Sequence, residues 1–355
     1  MTERKLKGNV PSKKKVVFPV QPELEGYLRQ YNRVADLPVQ YDDLLRYDSS
    51  VPLFDLAGND TLWETVYFLG NHEQEIHDAL TTIYALLKTD GDTEVTKHLS
   101  VARIDYCTFG NSKPFRVRII NRLNDNYDHF YVKKADASRV YGLELEYLLS
   151  PSNLRYLVDG ATLIEEHVAG IPGDDFIKRG LETTTFNQIR IAKEFVKFNE
   201  RCFVRLLGDM RSYNYVFDIT PDIEGNQYRM RAIDFDQQSY EGWKSFYLPQ
   251  YFKENNPIIF LGIKHMAPET VKQYQLEERS LIANRINSYR HQVEDMFRVM
   301  VRDQISQPKK VTQLKKELQN HHHSEAFAKC QTMGDIVFTN LKLLLQKDFR
   351  QSIEL

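Results

Sequence analysis

Cysteine is scarce in this 355-residue chain, three in all, and the three lie far apart at Cys107, Cys202 and Cys330. No pair has the Cys-x-x-Cys spacing of a zinc knuckle or redox dithiol, and an odd, dispersed set is not a disulfide framework. Cys202 falls within an apolar helical pattern and reads as a small core residue. Long apolar runs are missing too. Crossing a bilayer takes ~18–20 apolar residues, and clusters such as 257–262 (Pro-Ile-Ile-Phe-Leu-Gly) are only core-sized. The basic N-terminus has no apolar stretch of a secretory leader, so the expected home is the cytoplasm. An excess of one charge is also lacking: 47 Lys and Arg against 49 Asp and Glu leave −2. A whole-surface nucleic-acid binder is therefore not expected. Neither a Gly-x-x-x-x-Gly-Lys-Ser/Thr phosphate loop nor a serine nucleophile elbow occurs.

What is present is core-forming material. The chain is 42% hydrophobic and 12% aromatic, with 20 Tyr and 20 Phe, which excludes a disordered chain and suits about two domains. Residues 1 to about 20 read as a solvated basic arm. From Pro22 to Leu99 the pattern is broken and helical. Trp63, Val66, Tyr67 and Leu69 make one apolar face, and Ile76, Leu80, Ile83, Tyr84 and Leu87 a cleaner one, ended by turn residues 88–92.

The period changes near residue 100. Val101, Ile104 and Tyr106 lead to a turn cluster at 109–114; Phe115, Val117 and Ile119 then alternate with Arg116 and Arg118; a second turn cluster at 123–128 precedes 130–134. Three antiparallel strands joined by two hairpins follow from this. Ala135 to Leu149 reads as a helix stopped by Ser150-Pro151, with short strands at 156–158 and 162–164. Residues 170–173 (Gly-Ile-Pro-Gly) read as a break, 186–203 as a long helix, 215–217 and 228–233 as a hairpin, and everything beyond Ala267 as helical. Strands followed by helices, with a hairpin among the helices, point to an α+β fold.

The densest chemistry lies between Leu207 and Gln237: Gly208-Asp209-Met-Arg211-Ser-Tyr-Asn214, a hairpin, then Ile233-Asp234-Phe-Asp236. An Asp and an Asn five positions apart, followed by a hairpin and an Ile-Asp-Phe, resemble the catalytic loop and metal-binding turn of the protein-kinase-like phosphotransferases. Gly208-Asp209 is closest in style to the aminoglycoside- and choline-kinase branch, with Leu207 where that branch tends to have His. The resemblance spans about residues 100 to 270. It implies a two-lobed fold, with ATP between a small antiparallel-sheet lobe (99–167) and a helical lobe (168–355), preceded by a helical extension (1–98).

It also implies roles. Asp209 is the catalytic base that orients an acceptor hydroxyl, and Arg211 offsets phosphate charge. Asn214 and Asp234 hold Mg²⁺; Asp236 either reaches a second metal or caps the next turn. Lys133, at the end of 130–133 (Phe-Tyr-Val-Lys), pairs the α- and β-phosphates, with Lys134 on the opposite face. Glu144, or alternatively Glu146, forms the ion pair with Lys133. Gly110, Asn111 and Ser112 turn backbone N–H groups to phosphates, although this loop has one glycine where the family has three. Glu166, His167 and Val168 lie at the adenine edge. ATP and Mg²⁺ are thus the implied cofactors, with a hydroxyl-bearing small molecule or protein as acceptor; a nucleotide-holding pseudokinase is the alternative. Residues 266–269 (Met-Ala-Pro-Glu) match the end of a kinase activation segment, or simply start a helix. His321-His-His323 reads as a polar loop, since three adjacent residues on a helix point apart and do not share an ion.

Overall fold

The structure is a computed structural model that describes residues 15–345 apart from 56, 90–92, 180, 182–185 and 224. Most of the basic arm and residues 90–92 of the turn expected after Leu87 lie outside the described residues. The architecture is mixed α+β. Internal contacts divide the chain into two units. One comprises 19–137 and 153–167; the other comprises 138–152, everything from Val168 onward, and the described residues before Pro19.

The first unit is built on an antiparallel sheet of seven strands: β1 (Ser49–Phe54), β2 (Asp60–Tyr67), β3 (Leu99–Cys107), β4 (Phe115–Asn121), β5 (Tyr127–Lys134), β6 (Tyr156–Asp159) and β7 (Thr162–Glu166). Their spatial order is β1-β2-β3-β4-β5-β7-β6. The expected hairpins β3–β4 and β4–β5 are present, as are the short strands β6 and β7. The helical reading of residues 63–69 is corrected: Trp63, Val66 and Tyr67 belong to β2, paired with β1 and β3. The spacing 63, 66, 67 satisfies a helical template. Thr61, Trp63, Thr65, Val66 and Tyr67 nevertheless have the β-branched and aromatic character of a strand, and sheet neighbours on both sides decide the outcome. Ser49–Phe54 and Asp60–Tyr67 thus interrupt the expected helical extension and share this sheet, whereas Pro22–Gln30 and Asn71–Thr89 are helices.

Strand period sorts the sheet residues by face. Ile104, Phe115, Val117, Phe130, Val132 and Ile164 are buried in one core with Ile76, Leu80, Ile83 and Leu87 from the helix Asn71–Thr89. The opposite face is polar. Asp105, Arg116, Tyr131 and Glu165 stand in register across β3, β4, β5 and β7, with His129 and Lys133 two residues either side of Tyr131.

The second unit is mostly helical, around the helix Gln188–Arg205, where the long helix is expected. Its N-cap Asn187 accepts from the Arg190 N–H. A small sheet of β8 (Ile171–Pro172), β9 (Tyr215–Asp222) and β10 (Gly225–Ala232) packs in the same unit, in the order β10-β9-β8. The break read at 170–173 thus contains a two-residue strand. Its glycines are required by close approach: a Cβ on Gly173 would lie 2.2 Å from the Tyr215 ring and 2.4 Å from the Ser212 carbonyl oxygen. Pro268 and Glu269 open the helix Pro268–Ser288. His321 and His322 end the helix Pro308–His322 rather than sitting in a loop, and His322 bonds Asn340 at 2.8 Å while stacking on Phe203 and Phe327.

Candidate active site

The helix Gln188–Arg205 ends by delivering Leu206 in the left-handed conformation (φ 56°), and a helix end leaves carbonyls without partners. Two buried amides supply them. Asn340 donates to the Phe203 and Val204 carbonyls at 2.9 and 3.1 Å, and Gln238 donates to the Arg205 carbonyl at 2.6 Å. The chain then passes under Phe246 at Gly208, where a Cβ would sit 2.7 Å from the ring. Gly208 N–H donates to the Gln237 carbonyl and Asp209 N–H to the Phe246 carbonyl. Asp209 itself has φ 59°, a conformation tolerated by Asp when surrounding bonds enforce it.

Around Asp209 the loop closes on itself. The Asn214 side-chain N–H donates to the Asp209 backbone carbonyl at 2.8 Å. Arg211 Nε donates to Asp209 Oδ1 at 3.0 Å, and Arg211 Nη1 to Glu254 Oε1 at 2.7 Å. Burial, opposed by Arg211 and reinforced by the Asp234 and Glu254 carboxylates, pushes the Asp209 carboxyl up to about 6. A carboxylate that titrates this close to neutrality is matched to proton acceptance. Hairpin β9–β10 then brings the chain back: Ile233 N–H donates to the Asn214 carbonyl at 3.0 Å, which sets Asp234 just beyond that junction. Asp234 is half-buried, and its Oδ1 accepts the Asp236 N–H at 2.9 Å.

Asp209, Arg211, Asn214 and Asp234 are therefore brought together, and the residues fit a hard cation only in part. Asn214 spends its N–H on Asp209 and turns no donor toward its own Oδ1 among the described residues, leaving that oxygen free to ligate; Asp234 adds a carboxylate. Asp236 does not fit, and its assignment as a second metal ligand is corrected. It is buried in an ion pair with Arg139 of the helix Ala137–Leu149, and its backbone carbonyl accepts from the buried Lys15 ammonium. Its carboxylate is committed to structure. Lys15 likewise corrects the reading of 1–20 as a solvated arm at that position, since it also lies over the Tyr240 ring at 5.1 Å. Among the described residues no three His, Cys, Asp or Glu side chains form a metal-binding group.

The remaining expected residues lie elsewhere. Lys133 is buried on the polar face of the seven-stranded sheet, and its ammonium meets Glu165 on β7 at 2.5 Å. A cross-strand diagonal thus supplies the carboxylate, not a helix. The helix glutamates have partners of their own: Glu144 accepts from Gln292 at 2.8 Å, and Glu146 is in a buried pair with Arg205. The expected Lys133 pairing with Glu144 or Glu146 is accordingly replaced by Glu165. Lys134 is exposed, as period 2 requires. Gly110 (φ 89°), Asn111 and Ser112 form the turn between β3 and β4. Glu166 closes β7, its carboxylate taken by Lys88 at 2.5 Å and the Arg155 N–H at 3.0 Å. His167 packs on His129 and Tyr131. Among the described residues, the backbone of His167 and of Val168 makes no hydrogen bond.

Sequence reasoning missed Phe246, Glu254, Asn255 and Gln238. Gln238 sits beside the Asp-Phe-Asp, but the other three belong to a stretch whose pattern carries no periodic signal. No protein-family model matches the chain, and no curated protein matches it in sequence.

Proposed function

We propose that the protein is an ATP- and Mg²⁺-dependent phosphotransferase of the protein-kinase-like kind, acting on a hydroxyl acceptor. The observation that carries this reading is the closed loop Asp209–Asn214. A base is held in a left-handed backbone by its neighbour's amide, beside a cation and next to the Asp234 carboxylate. Phosphoryl transfer asks chiefly for positioning and electrostatics, and this arrangement supplies both.

In this reading Asp209 accepts or orients the proton of the acceptor hydroxyl, and Arg211 offsets charge on the transferred phosphoryl oxygens. Asn214 and Asp234 would hold Mg²⁺, whose charge would offset that of the phosphates. Lys133, paired with Glu165, takes the nucleotide-phosphate role that the resemblance implies. The unspent backbone N–H and C=O groups at 167 and 168 suit an adenine edge, since such groups are normally partnered. Asp236 acts through structure: with Arg139 it ties the Asp-Phe-Asp turn to the helix Ala137–Leu149.

Purified protein with Mg²⁺ and ATP should consume ATP slowly even without the true acceptor, and Asp234→Ala should abolish this while remaining folded. Wild-type turnover in Asp234→Ala would overturn the metal assignment. The second reading, a module that holds nucleotide without turnover, is favoured by the single glycine in the 109–114 turn. Calorimetric ATP binding without consumption across a panel of acceptors would support it.

A further inference from the structure

The turn ahead of the helix Asn256–His265 carries side chains that the phosphotransfer reading does not use. Residues 249–255 pass through two short 3-10 turns, Pro249–Tyr251 and Lys253–Asn255. Asn255 is fully buried. Its amide donates to the Met210 carbonyl at 3.0 Å and the Pro249 carbonyl at 2.8 Å, and its Oδ1 accepts the Tyr215 hydroxyl at 2.8 Å. It therefore rivets this turn to the backbone beside Asp209 and to the first residue of β9. One residue earlier, Glu254 takes Nη1 of Arg211 at 2.7 Å while Asp209 takes Nε at 3.0 Å, and the guanidinium lies over the Phe252 ring at 5.0 Å. Two carboxylates and a ring thus hold one cation.

A guanidinium beside a carboxylate favours the two-pronged fork. An Arg211 that closed on Asp209 in this way would occupy the oxygens an acceptor hydroxyl needs. The Nη1 group committed to Glu254 is withheld from that fork. Because Asn255 fixes the turn, the cation is ordered before any phosphate arrives, which lowers the cost of positioning.

We propose that Glu254 is a positioning residue for phosphoryl transfer, an inference that rests on the reading above: it presets Arg211 beside Asp209 and keeps the Asp209 carboxylate open to the acceptor. The test is steady-state hydrolysis of Mg²⁺-ATP, with water as acceptor. Glu254 is partly exposed (36%), so the isosteric Glu254→Gln folds. It should lower kcat about tenfold or more while KM for ATP stays within about twofold. Glu254→Asp should recover part of the loss, and Glu254→Gln should add no further loss on an Arg211→Ala background. Unchanged kcat in Glu254→Gln, or multiplicative losses in the double variant, would overturn the proposal. So would a lowered melting temperature with full kcat in the folded protein, the mark of a purely structural role. A wild type that hydrolyses no ATP would instead withdraw the phosphotransfer reading itself, and this inference with it.

Discussion

The Asn214 amide donates to the backbone carbonyl of Asp209 at 2.8 Å, so a side chain five residues downstream holds the backbone of the candidate base. Asp209 stays in a left-handed conformation because its carbonyl, its N–H (on Phe246) and its carboxylate (on Arg211) are all engaged. The loop is preorganised by its own sequence neighbours and by one turn beyond the β9–β10 hairpin.

Such a base carries a stability cost. With its carboxyl raised from 3.8 to about 6, Asp209 is protonated in both folded and unfolded protein below pH 3.8 and destabilises nothing there. The cost accumulates as pH rises between 3.8 and 6 and is complete above it. Asp209→Asn should therefore stabilise the protein by about 3 kcal/mol at pH 8 and by far less at pH 4, while eliminating turnover. Urea denaturation at the two pH values measures this, and equal gains at both would contradict it.

Asp236 and Arg139 form a pair whose value lies in not being broken. Removing one partner of a buried ion pair typically costs about 3–5 kcal/mol, whereas replacing both with apolar residues is often neutral. Asp236→Leu should lower the denaturation midpoint sharply, and Arg139→Met combined with Asp236→Leu should restore much of it. If Asp236 served as a metal ligand instead, the double variant would fold yet lose Mg²⁺ affinity in a calorimetric titration; here its affinity should match wild type.

Gly208 is fixed by crowding. A Cβ there meets the Phe246 ring at 2.7 Å, so Gly208→Ala should displace Asp209 and reduce ATP turnover about a hundredfold. Shortening the ring neighbour with Phe246→Leu in the same chain should recover part of the rate. A Gly208→Ala protein with wild-type kinetics would show that the close approach is unimportant.

On the sheet unit the sign of the pH dependence reverses. Burial, helped by His167, Arg116 and Arg118, holds His129 down at about 4. A histidine depressed in the fold contributes stability that is present above its unfolded value near 6.5 and is lost as pH falls through 4. His129→Gln should flatten the decline in melting temperature between pH 6.5 and 4; an identical decline in the variant would exclude this origin.

The sequence shows best where one period rules a segment. The alternation of Phe115, Val117 and Ile119 is β4, the helical spacing from Phe186 to Phe203 is the helix Gln188–Arg205, and the hairpin read across 215–217 and 228–233 is the pair β9–β10. It misleads where two templates fit. Residues 63–67 satisfy a helical face, yet pairing on both sides makes them β2. Within the site, Asp209, Arg211, Asn214 and Asp234 were readable because chain-local spacing joins them. The partners of Lys133 and Asp236 were not. Glu165 reaches Lys133 through strand register and Arg139 reaches Asp236 through packing, and neither leaves a trace in the spacing of residues. Glu254 and Asn255 were hidden for the same reason, in a stretch of 3-10 turns without periodicity.

Phosphoryl transfer from ATP by way of Asp209 is measured by release or transfer of a labelled γ-phosphate. Wild-type protein with Mg²⁺ and a panel of hydroxyl acceptors should move the label, Asp209→Asn should reduce the rate to background, and EDTA should do the same to wild type. Label that never leaves ATP in the wild type, or that leaves equally fast in Asp209→Asn, would contradict it.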